Sequence, residues 1–287
     1  MLSQQKGSKL QGFVRNETVS NARNAYFERL GEADAQEITT RHGDTPLNEI
    51  PHSRRRLTPV PYNTATLLDN ADSLRMLIDP KSPYANAQAM TLGRKKDDII
   101  IASVYADVAT GQSGGTTIAF KDDSRSMNGD GTITALGTLA TPQTETVMTL
   151  AKMLTMMQTF NEDDVDADIA KYWCVTPQEI SDMLDLEEVG SSDFNVVKTL
   201  MTGKVDSYMG FKWIWSNRLP ADGTDGSCSR TFAWAEDGLI LGTTENITSR
   251  ITERDDKNYS VQVYSEMDAG AIRLEGAKVH EALMKIS

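Results

Sequence analysis

The chain is poorest in the residues that mark catalytic and metal sites. Its 287 residues hold three histidines, His42, His52 and His280, and their spacing matches no common zinc pattern. The two cysteines, Cys174 and Cys228, form no C-x-x-C pair and read as reduced, buried thiols. No run approaches the roughly 18 apolar residues of a membrane span. The start, MLSQQKGSKLQG, has no apolar leader segment, so a soluble, intracellular protein is expected. Gly111 to Gly115 has G-x-S-x-G spacing but reads as following a helix rather than the strand of a nucleophile elbow, and a P-loop and a dinucleotide fingerprint are missing. Gln112-Ser113-Gly114-Gly115 follows a helical stretch rather than a strand, which argues against a phosphate cradle. Asp164, Asp166 and Asp168 start like a calcium loop, but Ile169 and Val175 stand where glycine and glutamate are needed. Asp130 in NGDGT lacks the flanking acids and reads as a turn. Positive charge is scarce as well. A net charge of −12 argues against a protein whose main task is gripping nucleic-acid phosphates. No catalytic, cofactor-binding or metal-binding residue is therefore assigned.

What is present is one long helical run, Ser82 to Val108. Ser82 can cap it, Pro83 suits its first position, and Ala85, Ala89, Leu92, Ile100 and Val104 keep helical spacing. At about 1.5 Å per residue it spans roughly 39 Å, which suggests a flat subunit. Gly93 is its one internal breaker. Before it, residues 1–20 read as a polar extended arm and Asn21–Leu30 as a short helix. Residues 37–68 read as two extended segments around the turn-rich TPLNEIPHS, a long hairpin arm that needs a neighbour's surface for stability. Arg54, Arg55 and Arg56 are either a solvated charge run or partners for an adjacent subunit's carboxylates; nucleic-acid contact ranks third. Asp69–Leu77 reads as a short helix.

After Val108 come a glycine-rich turn and strand-like segments to about Leu139. Thr144–Phe160 is helical, its methionines serving as core filler. KYWCVT is a strand, and Pro177 opens a helix with Thr176 and Glu179 as a capping box. In Val205–Asn217, Phe211, Trp213 and Trp215 share one face. Arg230–Thr243, Tyr259–Ser265 and Ala271–Leu274 supply further strands, with a turn at Asp255–Lys257. The fold class is α+β.

The order of these elements resembles the tailed-bacteriophage major capsid proteins of the Hong-Kong-97 type. The resemblance rests on RHGDTPL, on RRRLTPVPYNTATLLDNAD and on LIDPKSPYANAQAMTLGRKKDDIIIASVYADVATG with its GR-x-x-D element. WIWSNRLP, FAWAEDGLILG and VQVYSEMDAGAIRLEGAKVHEAL also match. It implies an N-terminal arm at 1–36 and an extended β-hairpin loop at 37–68. A peripheral domain would take 69–139 and 244–287, with 82–108 as its spine helix, and an axial domain 140–243. It implies pentamers and hexamers in an icosahedral head enclosing double-stranded DNA, which the shell contacts weakly. The chain would then be a virion component assembled in the host bacterial cytoplasm, neither an enzyme nor membrane-bound. Its partners would be further copies, a separate scaffolding protein, a portal and a decoration protein. Arg41, Arg54, Arg55, Arg56 and Tyr62 are the candidate intersubunit contacts, and Gly93 is the candidate bend of the spine helix. Since no lysine lies between Lys9 and Lys81, no lysine–asparagine crosslink is expected from the hairpin. Two alternatives remain: an encapsulin-like cargo shell and a soluble enzyme with an unrecognised site.

Overall fold

The computed structural model describes residues 7–20, 23–31, 33–35, 37, 40–41, 47–69, 81–141, 145–184, 207–221 and 226–286. In chain order the elements are β1 (Arg15–Thr18), β2 (Ala25–Leu30), β3 (His52–Leu57), β4 (Val60–Leu68), α1 (Lys81–Tyr105), β5 (Val108–Thr110) and β6 (Thr116–Ile118). Then follow α2 (Phe120–Asp123), β7 (Ser126–Met127), α3 (Leu150–Glu162), β8 (Lys171–Val175), α4 (Pro177–Leu184), β9 (Ser207–Tyr208) and β10 (Phe211–Trp215). The chain closes with β11 (Cys228–Ala235), β12 (Leu239–Arg254), β13 (Ser260–Arg273) and β14 (Val279–Lys285). The described strands make three sheets, ordered β1-β12-β13-β4, β7-β14-β11-β8-β10-β9 and β2-β3-β5-β6.

The six-stranded sheet is buried on both faces, which explains why β8 is buried at every position rather than at alternate ones. On one face α3 and α4 bring Met153, Met156, Phe160 and Met183 against Trp173, Phe211 and Trp213. On the other, Ile100, Ile101 and Val104 of α1 meet Tyr172, Cys174, Phe232 and Trp234. The four-stranded sheet of β12 and β13 lies under the N-terminal part of α1. There Gln88 replaces an apolar contact: its Nε2 donates to the Val263 carbonyl and Thr66 Oγ1 at 3.0 Å each, and its Oε1 accepts from Ser265 at 2.9 Å. A helix that buries polar side chains on matched partners shows a weak apolar stripe in sequence.

Several expectations are corrected. Asn21–Leu30 holds strand β2, not a helix. Its burial alternates with period two, and Ala25 and Phe27 pack on Leu57 and Val108. Ten residues containing Ala, Tyr, Phe and Leu fit either period, and pairing with β3 decided between them. The described part of the N-terminal arm belongs to the body: Leu10, Val14 and Val19 are buried, and β1 runs parallel to β12. The long helix ends at Tyr105, and β-branched Val108 opens β5 instead. α3 starts at Leu150, capped by Thr149, six residues after the expected Thr144. Trp215, at the end of β10, is half exposed while Phe211 and Trp213 are buried. Tyr259–Ser265 and Ala271–Leu274 fall in and around one strand, β13. Thr176 and Glu179 do form a capping box, the Thr176 amide donating to Glu179 Oε2 at 2.6 Å. The expected helix at 69–77 lies outside the described residues except for Asp69, as does His42.

Pairing also redraws the hairpin. β3 pairs with β2, from Ala25↔Leu57 to Leu30↔His52, whereas β4 pairs with β13 in the sheet beneath α1. The hairpin thus runs from 25 to 57, not from 37 to 68. β14 lies next to β11 in the six-stranded sheet, with β7 on its far side.

Candidate functional site

The hairpin ladder is closed at its loop end by the Gly31 amide, which donates to the Pro51 carbonyl at 2.8 Å. Residues 31–51 connect its strands. Leu30, Leu47 and Ile50 around this connection are 68%, 93% and 45% exposed. Exposed apolar side chains grouped around one connection mark a surface that something else covers.

The three arginines of β3 diverge because successive strand residues face opposite ways. Arg54 pairs across the strands with Glu28 at 2.6 Å, in solvent. Arg56 is half-buried against the turn at Gly114, where an added Cβ would fall 2.7 Å from its Cδ. Arg55 points inward, is 1% exposed and donates from Nη2 to Asp123 Oδ1 at 2.6 Å. Arg55, expected as an intersubunit contact, is thus enclosed by its own chain. Arg41 is exposed. Tyr62 is half-buried, with the Lys95 ammonium 5.1 Å from its ring centre.

Asp123 was not singled out from sequence, yet it ties the hairpin to the long helix. Its Oδ2 accepts from Arg273 Nε at 3.0 Å, and Arg273 Nη1 donates to the carbonyls of Val104 and Ala106 at 2.5 and 3.2 Å. These carbonyls end α1, where a cation also complements the helix dipole. A polar strut thus runs from β3 through α2 and β13 to the end of α1. Gly276 backs it so closely that a Cβ there would lie 1.8 Å from the Asp123 carbonyl oxygen.

A second contact holds the N-terminal arm. The Asp97 carboxylate accepts from Ser8 Oγ at 2.5 Å, from the Lys9 amide at 3.0 and 3.1 Å and from the Leu10 amide at 3.1 Å. Gly93, one turn earlier on the same face of α1, lets the arm pass: an added Cβ would lie 3.1 Å from Gly7 Cα. The helix runs through Gly93 without a break. The GR-x-x-D element is thus a seat for the arm, glycine giving room and aspartate giving grip. Lys9 continues the contact, its ammonium 3.1 Å from the Trp215 ring centre.

Other titratable groups are buried. Burial, then Arg125, pushes the His280 imidazole down to about 3, and Asp163 lies 3.5 Å from its Nε2. Burial lowers the Lys152 amine to about 8, and Nζ donates to the Thr146 carbonyl at 2.7 Å. The Cys174 thiol is driven well up by burial. A groove of about 510 Å³ beside the hairpin is lined by Glu28, His52, Arg54, Gly111, Gln112 and Thr116. Among the described residues no cluster of three or more metal-ligating side chains occurs, and no helix is long and apolar enough to cross a membrane.

Residues 1–285 match the phage capsid protein family. No curated protein matches the chain in sequence. Among solved structures, the capsid of Ralstonia phage GP4 aligns with a TM-score of 0.74 at 10% identity, over 100% of this chain and 93% of that one. The cyanophage Pam1 capsid aligns at 0.74 and 12% identity, over 99% and 94%. The capsid of cyanophage P-SCSP1u aligns at 0.71 and 14%, over 100% and 91%. The fold is that of the Hong-Kong-97-type capsids.

Proposed function

This chain belongs to the phage capsid protein family, and from that premise we propose how it builds a shell. It is a major capsid protein, a structural virion component that forms the shell of a phage head by assembling with further copies. In the proposed arrangement, pentamers and hexamers close an icosahedral head around double-stranded DNA. The six-stranded sheet with α3 and α4 serves as the axial domain at the ring centres. The sheet under α1 serves as the peripheral domain. The hairpin at 25–57 lies over an adjacent subunit, with Arg41 and Arg54 available for its carboxylates. A bend of α1 at Gly93 as shell curvature changes belongs to the same proposal. So do a scaffolding protein, a portal and a decoration protein as partners, assembly in the host cytoplasm, and the absence of enzymatic activity. Repetition of one interface type lets individually weak contacts sum to a stable shell. The net charge of −12 suits a lining that does not adhere to packaged DNA.

The observation that carries the reading is the hairpin, whose exposed Leu30, Leu47 and Ile50 have no covering core in their own chain. Replacing residues 33–49 by a short Gly-Ser turn spares β2 and β3. The variant is expected to fold, with unchanged circular dichroism and urea midpoint, but to give no shells in negative-stain microscopy after co-expression with the phage's other head proteins. Shells at wild-type yield would overturn the strap role.

A further inference from the structure

The joint between hairpin and body carries more positive charge than its own acids neutralise. Arg55 and Arg273 are 1% and 0% exposed and share the one carboxylate of Asp123. Nε and Nη1 of Arg55 have no hydrogen-bond partner, nor has Nη2 of Arg273. A third guanidinium, Arg29 of β2, lies close by: burial and then Arg55 lower its pKa. The other acids in range are Asp107, which acts on Arg273, and Glu275, which Lys278 already holds at 2.9 Å. Among the described residues four cations, Arg29, Arg55, Arg273 and Lys278, thus face three acids, Asp123, Asp107 and Glu275, and one positive charge is left over. Charged donors removed from water are costly unless an acceptor meets them.

We propose that this joint binds one small monovalent inorganic anion, of chloride size, on the unpaired N–H groups of Arg55 and Arg273, with Arg29 as the outer charge. Burial selects the ligand class. Neither inner guanidinium reaches the surface, so a side chain of another subunit or a nucleic-acid phosphate cannot touch them. A single ion can enter during local opening at the hairpin base. The single negative charge matches the imbalance. Held there, the anion completes the strut, fixing the hairpin against the end of α1 through Arg273.

The test uses the full-length subunit in solution, so it stands or falls separately from shell formation. Thermal unfolding is followed as chloride is replaced stepwise by gluconate at constant ionic strength, which keeps general screening fixed. Saturating chloride is expected to raise Tm by about 2–4 °C over gluconate, the size that mass action gives for a chain of this length. Arg29→Gln, half-buried and tolerant, should cut that response at least by half, and Arg55→Met should abolish it. Asp123→Asn, which removes the competing carboxylate, should enlarge it. Crystals grown in bromide should show an anomalous peak between Arg55 and Arg273. Equal Tm in the two salts, an undiminished response in Arg29→Gln, or no bromide at the joint would each overturn the proposal. If Arg55→Met does not fold, Arg29→Gln and bromide decide.

Discussion

Removing the Asp97 carboxylate should free the N-terminal arm without unfolding the subunit. In the structure this side chain is 1% exposed and takes hydrogen bonds from the Ser8 hydroxyl and from the Lys9 and Leu10 amides. Hydrogen bonds to a charged group contribute about 1.5–3 kcal/mol each, and a buried amide left without an acceptor costs about 1–3 kcal/mol. Summed naively, Asp97→Ala would lose more than the arm is worth. The ceiling is the docking energy itself. Burial of Leu10 and Val14 contributes about 1.5–3 kcal/mol each, offset by the entropy of ordering the segment. The expected loss is therefore about 3 kcal/mol, and roughly half of that for Asp97→Asn, which keeps one oxygen. Gly93→Ala attacks the same contact by pressing a methyl against Gly7. Because each substitution releases the same strap, the double variant should cost clearly less than the sum of the two. Urea unfolding would give the energies, and limited proteolysis followed by mass analysis would show cleavage between residues 7 and 14. An unchanged urea midpoint with an uncut arm in Asp97→Ala, or strict additivity with Gly93→Ala, would refute this account.

Three further outcomes follow from buried groups. His280 is held at about 3 against an ordinary value near 6.5, so the unfolded chain binds the extra proton between those values. Stability should be full above pH ~6.5 and fall with acidification, by about 2 kcal/mol at pH ~5, and His280→Gln should flatten that slope in urea midpoints measured against pH. Lys152 is lowered to about 8 and carries an unfavourable charge at neutral pH, offset in part by the carbonyls it caps. Lys152→Met should stabilise by about 1–2 kcal/mol near neutrality and remove the gain in stability that the wild type shows as pH rises from 8 toward 10.5, checked by denaturant unfolding at several pH values. Gly276→Ala drives a methyl into the Asp123 carbonyl and should cost at least about 4 kcal/mol, read as loss of soluble protein or a collapsed Tm.

How legible the molecule was in its sequence differs by element. Long, locally determined pieces were readable: α1, the Thr176–Glu179 cap, the buried β8 and the methionine-rich α3. Their determinants lie within a few residues of one another. The same holds for the resemblance to phage capsids, carried by the run from Leu77 to Gly111, and for the shell role it implies. Short ambiguous pieces were not readable. Ala25–Leu30 has no decisive period, and only the neighbouring β3 makes it a strand.

The assembly elements divide along the same line. Composition and local pattern settled that this is an acidic α+β protein built on one long helix, because helix periodicity, capping and charge balance are local or additive properties of the chain; the shell role came from the resemblance. Pairing and enclosure settled the rest. Arg54, Arg55 and Arg56 look alike in sequence, yet one faces solvent, one is buried on Asp123 and one lies against Gly114, because strand alternation and the sheet's neighbours assign each its surroundings. Asp97 and Asp123 were two acids among 41. Their importance comes from partners 68 to 150 residues away, and contacts at such separations exist only after the chain has folded.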